Sequence, residues 1–184
     1  MLYDADIRDG LCDFLEEQYG RVRFFDELVI GKSRADIVMV TPEELIGVEI
    51  KSDADSYARL SRQVKDYDRF FDRNIVAVGT KHAHHIREHV PEQWGVITVE
   101  EVDGEIDLYF LRRPDRSTMV KLENQLGLLW KRELSAIGVA NGLYRYPGKS
   151  KRYYGKYLVD ALPEALLKRS IAQELFERDY TIFK

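Results

Sequence analysis

Cysteine is nearly absent from this 184-residue sequence, and long apolar runs and low-complexity tracts are absent altogether. The single cysteine, Cys12, has no partner for an internal disulfide and excludes a zinc site built on two cysteines of one chain. No apolar run approaches the roughly 18 residues of a membrane helix. The first ten residues carry three aspartates and lack the basic, then apolar, start of a secretory signal. We therefore expect a cytoplasmic protein without a membrane span.

The net charge is also small, because 32 acidic residues nearly balance 28 basic ones and leave a net charge of −4. The acids outnumber the bases 14 to 6 in residues 1–56, equal them at 13 in residues 57–140, and trail them 5 to 9 in residues 141–184. The net charge argues against nonspecific coating of nucleic acid, although the basic rear could meet a polyanion. Hydrophobic residues make up 45 % of the chain, which is typical of a globular domain with a buried core.

The first two thirds of the chain have the pattern of an α/β domain. Apolar spacing predicts an amphipathic helix over residues 4–19 and a second helix over 56–71. Between them, three short segments rich in Val, Ile and Phe (21–30, 34–41 and 44–51) predict an antiparallel meander. A buried strand at 75–79, a short helix ending at Val90, and strands near 94–99 and 105–111 complete the order. We expect an αβββαβ core with a mixed sheet in residues 1–113.

Residues 114–184 have a different texture and predict a helical C-terminal appendage. A stripe of apolar residues from Leu122 to Ile137 and a segment from Ala165 to Arg178 have helical spacing. Between them, residues 141–157 contain five tyrosines and five basic residues but no acid. This stretch could bind nucleic acid through Lys149, Lys151 and Arg152, with bases stacking on the tyrosines. It loosely resembles a SAP-type DNA-binding helix pair, and a loop held by packed tyrosines is the alternative.

Two charged residues interrupt the apolar third strand, where Glu49 and Lys51 lie two positions apart in the segment ELIGVEIKS. Residues two apart on a strand point to the same face, so both charges must lie on one side of the sheet. A buried carboxylate costs several kcal/mol unless a partner or a metal compensates for it. The second strand contributes another lone acid, Asp36, and the turn at residues 41–43 brings the two strands together.

Two carboxylates with open coordination positions suit Mg²⁺ or Mn²⁺, which accept phosphate oxygens and water as further ligands. Such an ion would hold a phosphate, activate a water molecule and neutralise developing charge. Lys51 would then act on the water or stabilise the phosphorus centre. The pattern therefore suits a metal site that acts on a phosphate group.

Asp36 followed by Glu49-Ile50-Lys51 resembles the D…ExK signature of the PD-(D/E)XK, or restriction-endonuclease-like, nuclease superfamily. Gln63 and Tyr67 on the next helix fit the Q-h-x-x-Y motif of its RecB-like branch. The resemblance implies Asp36, Glu49 and the Ile50 carbonyl as metal ligands, Lys51 beside the water, and Gln63 and Tyr67 orienting the site. The proline of the superfamily's name is missing, because Ala35 precedes Asp36.

The resemblance also implies a further acidic residue in the site, for which there are two candidates. Glu27, at the end of the first strand, is preferred to Glu17 in the first helix because the meander can bring it beside Asp36. Arg34, Arg59 and Arg62 are placed to contact the phosphates of a nucleic acid.

All four histidines lie within eight residues, and His85 to His89 form an H-x-x-E-H pattern like that of inverted zinc peptidases. Pro91 ends this helix early and no third ligand is evident, so we prefer a solvated helix at the sheet edge.

The expected activity is that of a cytoplasmic Mg²⁺- or Mn²⁺-dependent nuclease acting on DNA. Cutting both strands of a duplex would favour a homodimer. The alternative is a catalytically silent module of the same fold that binds nucleic acid or protein.

Overall fold

A computed structural model describes residues 4–180 and contains one six-stranded sheet whose spatial order follows the chain. The strands are β1 (Arg23–Ile30), β2 (Ser33–Val40), β3 (Leu45–Lys51), β4 (Arg73–Gly79), β5 (Gly95–Val102) and β6 (Glu105–Arg112). The helices are α1 (Asp4–Tyr19), α2 (Leu60–Phe70), α3 (Thr80–Ala83), α4 (Leu122–Gly127), α5 (Lys131–Ala140), α6 (Lys151–Ala161) and α7 (Glu164–Phe176).

The sheet is mixed. Strands β1, β2 and β3 form an antiparallel meander, β3, β4 and β5 are parallel, and β6 returns antiparallel to β5. The parallel pair β3 and β4 is joined through α2, as parallel strands require a crossover connection. The α/β class and the predicted order αβββαβ, followed by further strands and a helical C-terminal region, are confirmed.

Helices cover both faces of the sheet. On one face α1 buries Ile7, Leu11 and Leu15 against a cluster that includes Val48 and Ile50 of β3. On the other face α2 packs through Tyr67 and other apolar residues. Since both faces are covered, β4 is buried along almost its whole length, as expected of a central parallel strand.

The C-terminal helices lie in the same layer as α2. Leu126 of α4, Leu158 of α6 and Ile171 of α7 belong to the same buried cluster as Tyr67 and Phe71. The core on this face is thus continuous between the two predicted regions. The boundary near Arg113 stays a prediction, and residues 1–3 and 181–184 lie outside the described part.

This region also satisfies the end of α2, where helix carbonyls lack partners within the helix. The hydroxyl of Ser117 donates to the carbonyl of Asp68 at 3.0 Å. The backbone N–H of Lys121 donates to the carbonyl of Arg69 at 3.0 Å. The appendage therefore holds the last turn of the helix that follows β3.

Two local features differ from the sequence expectations, and in a third, the basic stretch, both alternatives are present as a loop followed by a helix. The apolar stripe from Leu122 to Ile137 is two helices, because α5 starts anew where the Trp130 N–H donates to the Glu133 carboxylate at 2.6 Å. The second half of the basic stretch is helical as α6, which Ser150 caps by accepting from the Tyr153 N–H. The short helix before Val90 is only α3 followed by a 3-10 turn at Ile86–Glu88.

Between residues 4 and 180, no helix combines the length and the apolar character required to cross a membrane.

Candidate active site

The candidate site lies on the face of β3 that α2 covers. Gly47, Glu49 and Lys51 alternate along this face, and a Cβ atom added to Gly47 would lie 2.6 Å from the Tyr67 ring. Because Gly47 has no side chain, α2 approaches the strand closely enough for its polar residues to reach Glu49.

Glu49 is completely buried, with 0 % of its surface exposed, and both of its carboxylate oxygens accept hydrogen bonds. Oε1 accepts from Lys51 Nζ at 2.6 Å and from Gln63 Nε2, while Oε2 accepts from the Tyr67 hydroxyl at 2.7 Å. Lys51 Nζ also donates to Gln63 Oε1 at 3.3 Å. These bonds offset the cost of burying a charged pair, which is high without them.

Helix α2 supplies Gln63 and Tyr67 from positions four residues apart, which lie on the same side of a helix. The Tyr67 oxygen also accepts from the backbone N–H of Asp36 at 3.2 Å, so one side chain ties β2 to β3. Burial and the nearby Glu49 and Asp36 carboxylates raise the pKa of Tyr67 well above its usual value. Tyr67 therefore stays protonated and donates to Glu49 across the range of pH at which proteins are folded.

Asp36 lies where β2 and β3 part. The last pair of their ladder is Ile37 with Val48, and beyond it the backbone N–H of Ile50 donates to Asp36 Oδ2 at 2.8 Å. The pKa of Asp36 is raised to about 7, mainly by burial and next by the Glu49 carboxylate. The hydrogen bond from Ile50 and the charge of Lys51 act in the opposite direction and lower this pKa. The two acids are therefore close enough to repel one another.

The donor set at this point fits a hard divalent cation. The N–H and C=O of one strand residue point toward the same neighbouring strand, so the Ile50 carbonyl faces the same side as its N–H, toward Asp36. Two carboxylates and a backbone carbonyl are the oxygen ligands that Mg²⁺ and Mn²⁺ favour. A cation would also relieve the repulsion between Asp36 and Glu49.

A cleft of about 330 Å³ opens on this site and is rich in positive charge. Its lining includes Asp36 and Gln63 from the site and Ser33, the first residue of β2. The cations that line it are Lys32, Arg34, Arg59 and Arg62. All three arginines that the sequence singled out for phosphate contact thus surround the entrance to the acids.

Glu27 stands opposite Asp36 in the register of β1 and β2, since its neighbours Asp26 and Leu28 pair with Ile37 and Ala35. Its φ of 57° is in the left-handed region, which is strained for a residue other than glycine. The Glu27 carboxylate pairs with Arg34 at 2.5 Å and with Arg8 at 3.8 Å.

Glu17, the competitor, lines a shallow cleft against Ile106 and Leu108 of β6, at the far edge of the sheet. Of the two acids, Glu27 is therefore the one placed beside the candidate site.

Sequence reasoning missed two cations near these acids. Lys32 lines the cleft from the tight turn before β2, where the sequence signalled only a turn. Arg8 of α1 donates to the Asp26 carboxylate at 2.9 Å and to the Asp36 carbonyl at 2.8 Å. A cation within the acidic first helix was the available signal for Arg8, but its partners follow only from the packing of α1 on the sheet.

The histidine pattern is spread over irregular structure. His85 Nδ1 lies 3.3 Å from the Glu88 carboxylate, whereas the His89 ring stacks on Tyr57 at 4.0 Å. Among the described residues, no group of three or more His, Cys, Asp or Glu side chains is arranged to hold a metal ion. The zinc alternative therefore gains no support, and the candidate metal site consists of two acids and a carbonyl.

In the appendage, Lys149, Lys151 and Arg152 are exposed at or near the start of α6. Lys151 Nζ donates to the carbonyl of Gly127 at 2.7 Å, and burial lowers its pKa. Lys151 thus joins α6 to α4, whereas Lys149 lies over the Tyr153 ring at 5.1 Å.

A protein-family model described as Bacteriophage P4 protein cII matches residues 1–182. No curated protein sequence shows significant similarity to the chain. A structure of SfsA from Pyrococcus furiosus in complex with Ca²⁺ is similar at 17 % identity and a TM-score of 0.37. The similarity covers 64 % of this chain and 63 % of that one, less than two thirds of its length.

Proposed function

The chain belongs to the family of bacteriophage P4 protein cII, and we propose that it is a nuclease that hydrolyses phosphodiester bonds in DNA with Mg²⁺ or Mn²⁺. One observation carries the proposal. A buried Glu49, held by Lys51, Gln63 and Tyr67, lies near Asp36 beneath a cleft lined by four cations. The acids could hold a metal ion, and the cations above them could bind phosphates. Together they form a site suited to the phosphodiester backbone of a nucleic acid.

Asp36, Glu49 and the Ile50 carbonyl would hold the metal ion. When bound, the ion would lower the pKa of a coordinated water and neutralise charge on the phosphate. The pKa of Asp36, raised to about 7, indicates a carboxylate whose ionised form is disfavoured without a nearby cation.

The remaining residues act around these ligands. Lys51 presents an ammonium group that Glu49 and Gln63 hold in one orientation, suited to the attacking water or to the phosphorus centre. Gln63 and Tyr67 are positioning residues, because they fix both oxygens of Glu49. Arg59 and Arg62 would bind the phosphates that flank the scissile bond.

The test uses the full chain with single-stranded, duplex and branched DNA, each with Mg²⁺, Mn²⁺ or EDTA. We expect cleavage of at least one DNA form with either ion and none in EDTA. Glu49→Gln and Lys51→Met should each lower the cleavage rate at least about 100-fold, since electrostatic stabilisation of this kind typically contributes that much. Calorimetric titration should show Mn²⁺ binding that Asp36→Asn weakens.

Glu105→Gln is the control, because Glu105 is an exposed acid of β6, away from the site. It should keep the cleavage rate. Cleavage that survives both site substitutions would disprove the assigned site. Binding of DNA without cleavage under any of these conditions would instead favour the silent binding module.

A further inference from the structure

Four tyrosines of the appendage form an aromatic cluster on the surface, here called the tyrosine cluster. Tyr146 packs edge-on against Tyr144 at 4.8 Å, Tyr153 at 5.5 Å and Tyr157 at 5.3 Å between ring centroids. Tyr144 is 67 % exposed, although it is a large ring with much apolar surface. Aromatic patches that stay exposed commonly mark binding surfaces.

The fold places this cluster without needing all of its rings. Tyr154, the buried neighbour, anchors the segment by donating from its hydroxyl to the Tyr146 carbonyl at 2.9 Å. Ser150 caps α6 directly before the cluster's helical half. Removal of the Tyr144 ring therefore takes little from the core and leaves α6 in place.

The segment that carries the cluster is basic. Residues 141–159 contain no Asp or Glu. Lys149 lies over the Tyr153 ring, and the exposed Arg145 lines a cleft with Tyr146. Arg152 instead lines the neighbouring cleft that contains Glu123 and Asp160. Two further lysines have structural partners, since Lys151 bonds to Gly127 and Lys156 pairs with Asp160 at 2.8 Å. The cations of this segment that lie with the cluster and have no such partner are thus Arg145 and Lys149.

We propose that the tyrosine cluster and these two cations form a second binding site, which takes a single-stranded segment of DNA. Exposed rings stack on unpaired bases, while cations hold the phosphates between them, and neither interaction requires a particular sequence. The bases of a duplex already stack on each other and cannot reach the rings. The choice of DNA rests on the proposed function, whereas the binding is independent of the metal site.

The test measures fluorescence anisotropy of the full chain in EDTA, so that no cleavage can occur. The probes are a labelled oligothymidylate of about 12 nucleotides and a duplex of the same length. We expect the single strand to bind more tightly than the duplex. Tyr144→Ala should weaken its binding about tenfold, as expected for loss of one stacked base, and Tyr144→Phe should restore it.

Charge is tested by the salt dependence of the same binding. Each phosphate contact on a single strand contributes about 0.7 to the slope of log affinity against log salt, so the double variant Arg145→Ala/Lys149→Ala should reduce the slope by about 1.4. The matched controls are Tyr109→Ala, an exposed tyrosine of β6, and Arg87→Ala/Lys121→Ala, which removes two exposed cations elsewhere. Both controls should bind like the unmodified chain.

Three results would overturn the proposal: equal affinity for the duplex, binding unchanged by Tyr144→Ala, or binding lost only when Arg59 and Arg62 are replaced. Each can occur in a chain that still cleaves DNA. Conversely, a chain that binds the single strand as expected but never cleaves would count against the nuclease and not against this site.

Discussion

At the scale of single residues, Asp36 is the side chain whose surroundings most change its chemistry. Its pKa rises from 3.8 to about 7. Between these values the folded chain holds a proton that the unfolded chain has released. The contribution of Asp36 to stability therefore falls as the pH rises from about 4 to about 7, because the unfolded state binds fewer protons.

Asp36→Asn should reduce this decline, measured as the free energy of unfolding in urea from pH 4 to pH 8 with EDTA present. The amide keeps an oxygen that can accept from the Ile50 N–H but has no proton to lose. At pH 8 the variant should be more stable than the unmodified chain by about 1–3 kcal/mol.

Asp107→Asn, an exposed acid of β6, should keep the decline unchanged. If Asp36→Asn shows the same fall in stability as the unmodified chain, another group is responsible for it.

Much of the site could be predicted at this scale. The spacing of Glu49 and Lys51 on a strand, and of Gln63 and Tyr67 on a helix, fixes which side chains share a face. The partners of Glu27 and the place of Lys32 could not be predicted. They depend on a left-handed backbone residue and on a hairpin turn folding over α2, and neither leaves a periodic signal.

At the scale of elements, the contact between β3 and α2 decides how Glu49 is held. Gly47 is the point of closest approach, since a Cβ there would lie 2.6 Å from the Tyr67 ring and closer still to Phe71. The rings cannot move aside easily because both are fully buried.

Gly47→Ala should therefore destabilise the fold by about 1–3 kcal/mol, as overpacking does, measured by urea unfolding. It should also lower the rate of DNA cleavage, because a displaced Tyr67 no longer fixes Glu49.

Gly155→Ala in α6 is the control, since its new methyl group would meet no atom within 4 Å. This change should stabilise the helix by about 0.5–1 kcal/mol and spare the cleavage rate. Equal effects of the two alanines would show that the space at Gly47 does not matter.

Apolar periodicity predicted most elements, but it failed where hydrogen bonds interrupt a helix. The stripe from Leu122 to Ile137 continues through the break between α4 and α5, because both helices bury their apolar residues in the same cluster. The break itself is set by the bond from the Trp130 N–H to the Glu133 carboxylate, which apolar spacing does not report.

At the scale of the whole molecule, a buried ion pair links two distant parts of the appendage. Arg178 donates to both carboxylate oxygens of Glu133 at 2.7 Å, and its guanidinium lies over the Trp130 ring at 4.1 Å. The pair joins the end of the described chain to α5, 45 residues earlier. Sequence reasoning could not find it, since nothing local links two charges so far apart.

Arg178→Met should lower the free energy of unfolding in urea by about 3–5 kcal/mol, because it leaves Glu133 buried without its cation. Lys156→Met, which removes the exposed pair with Asp160, should cost less than about 1 kcal/mol. If both variants lose the same free energy of unfolding, burial does not make the Arg178 pair more important for stability than the exposed pair.

The hydrogen bonds between the appendage and the last turn of α2 affect when the site can form during protein synthesis. Residues 36–67 are synthesised well before Ser117, Lys121 and the later helices that pack with α2. A nascent or prematurely terminated chain would thus carry every residue of the acid site without the support that fixes its geometry. A chain that ends before Ser117 should therefore hold Gln63 and Tyr67 against Glu49 less firmly than the full chain does.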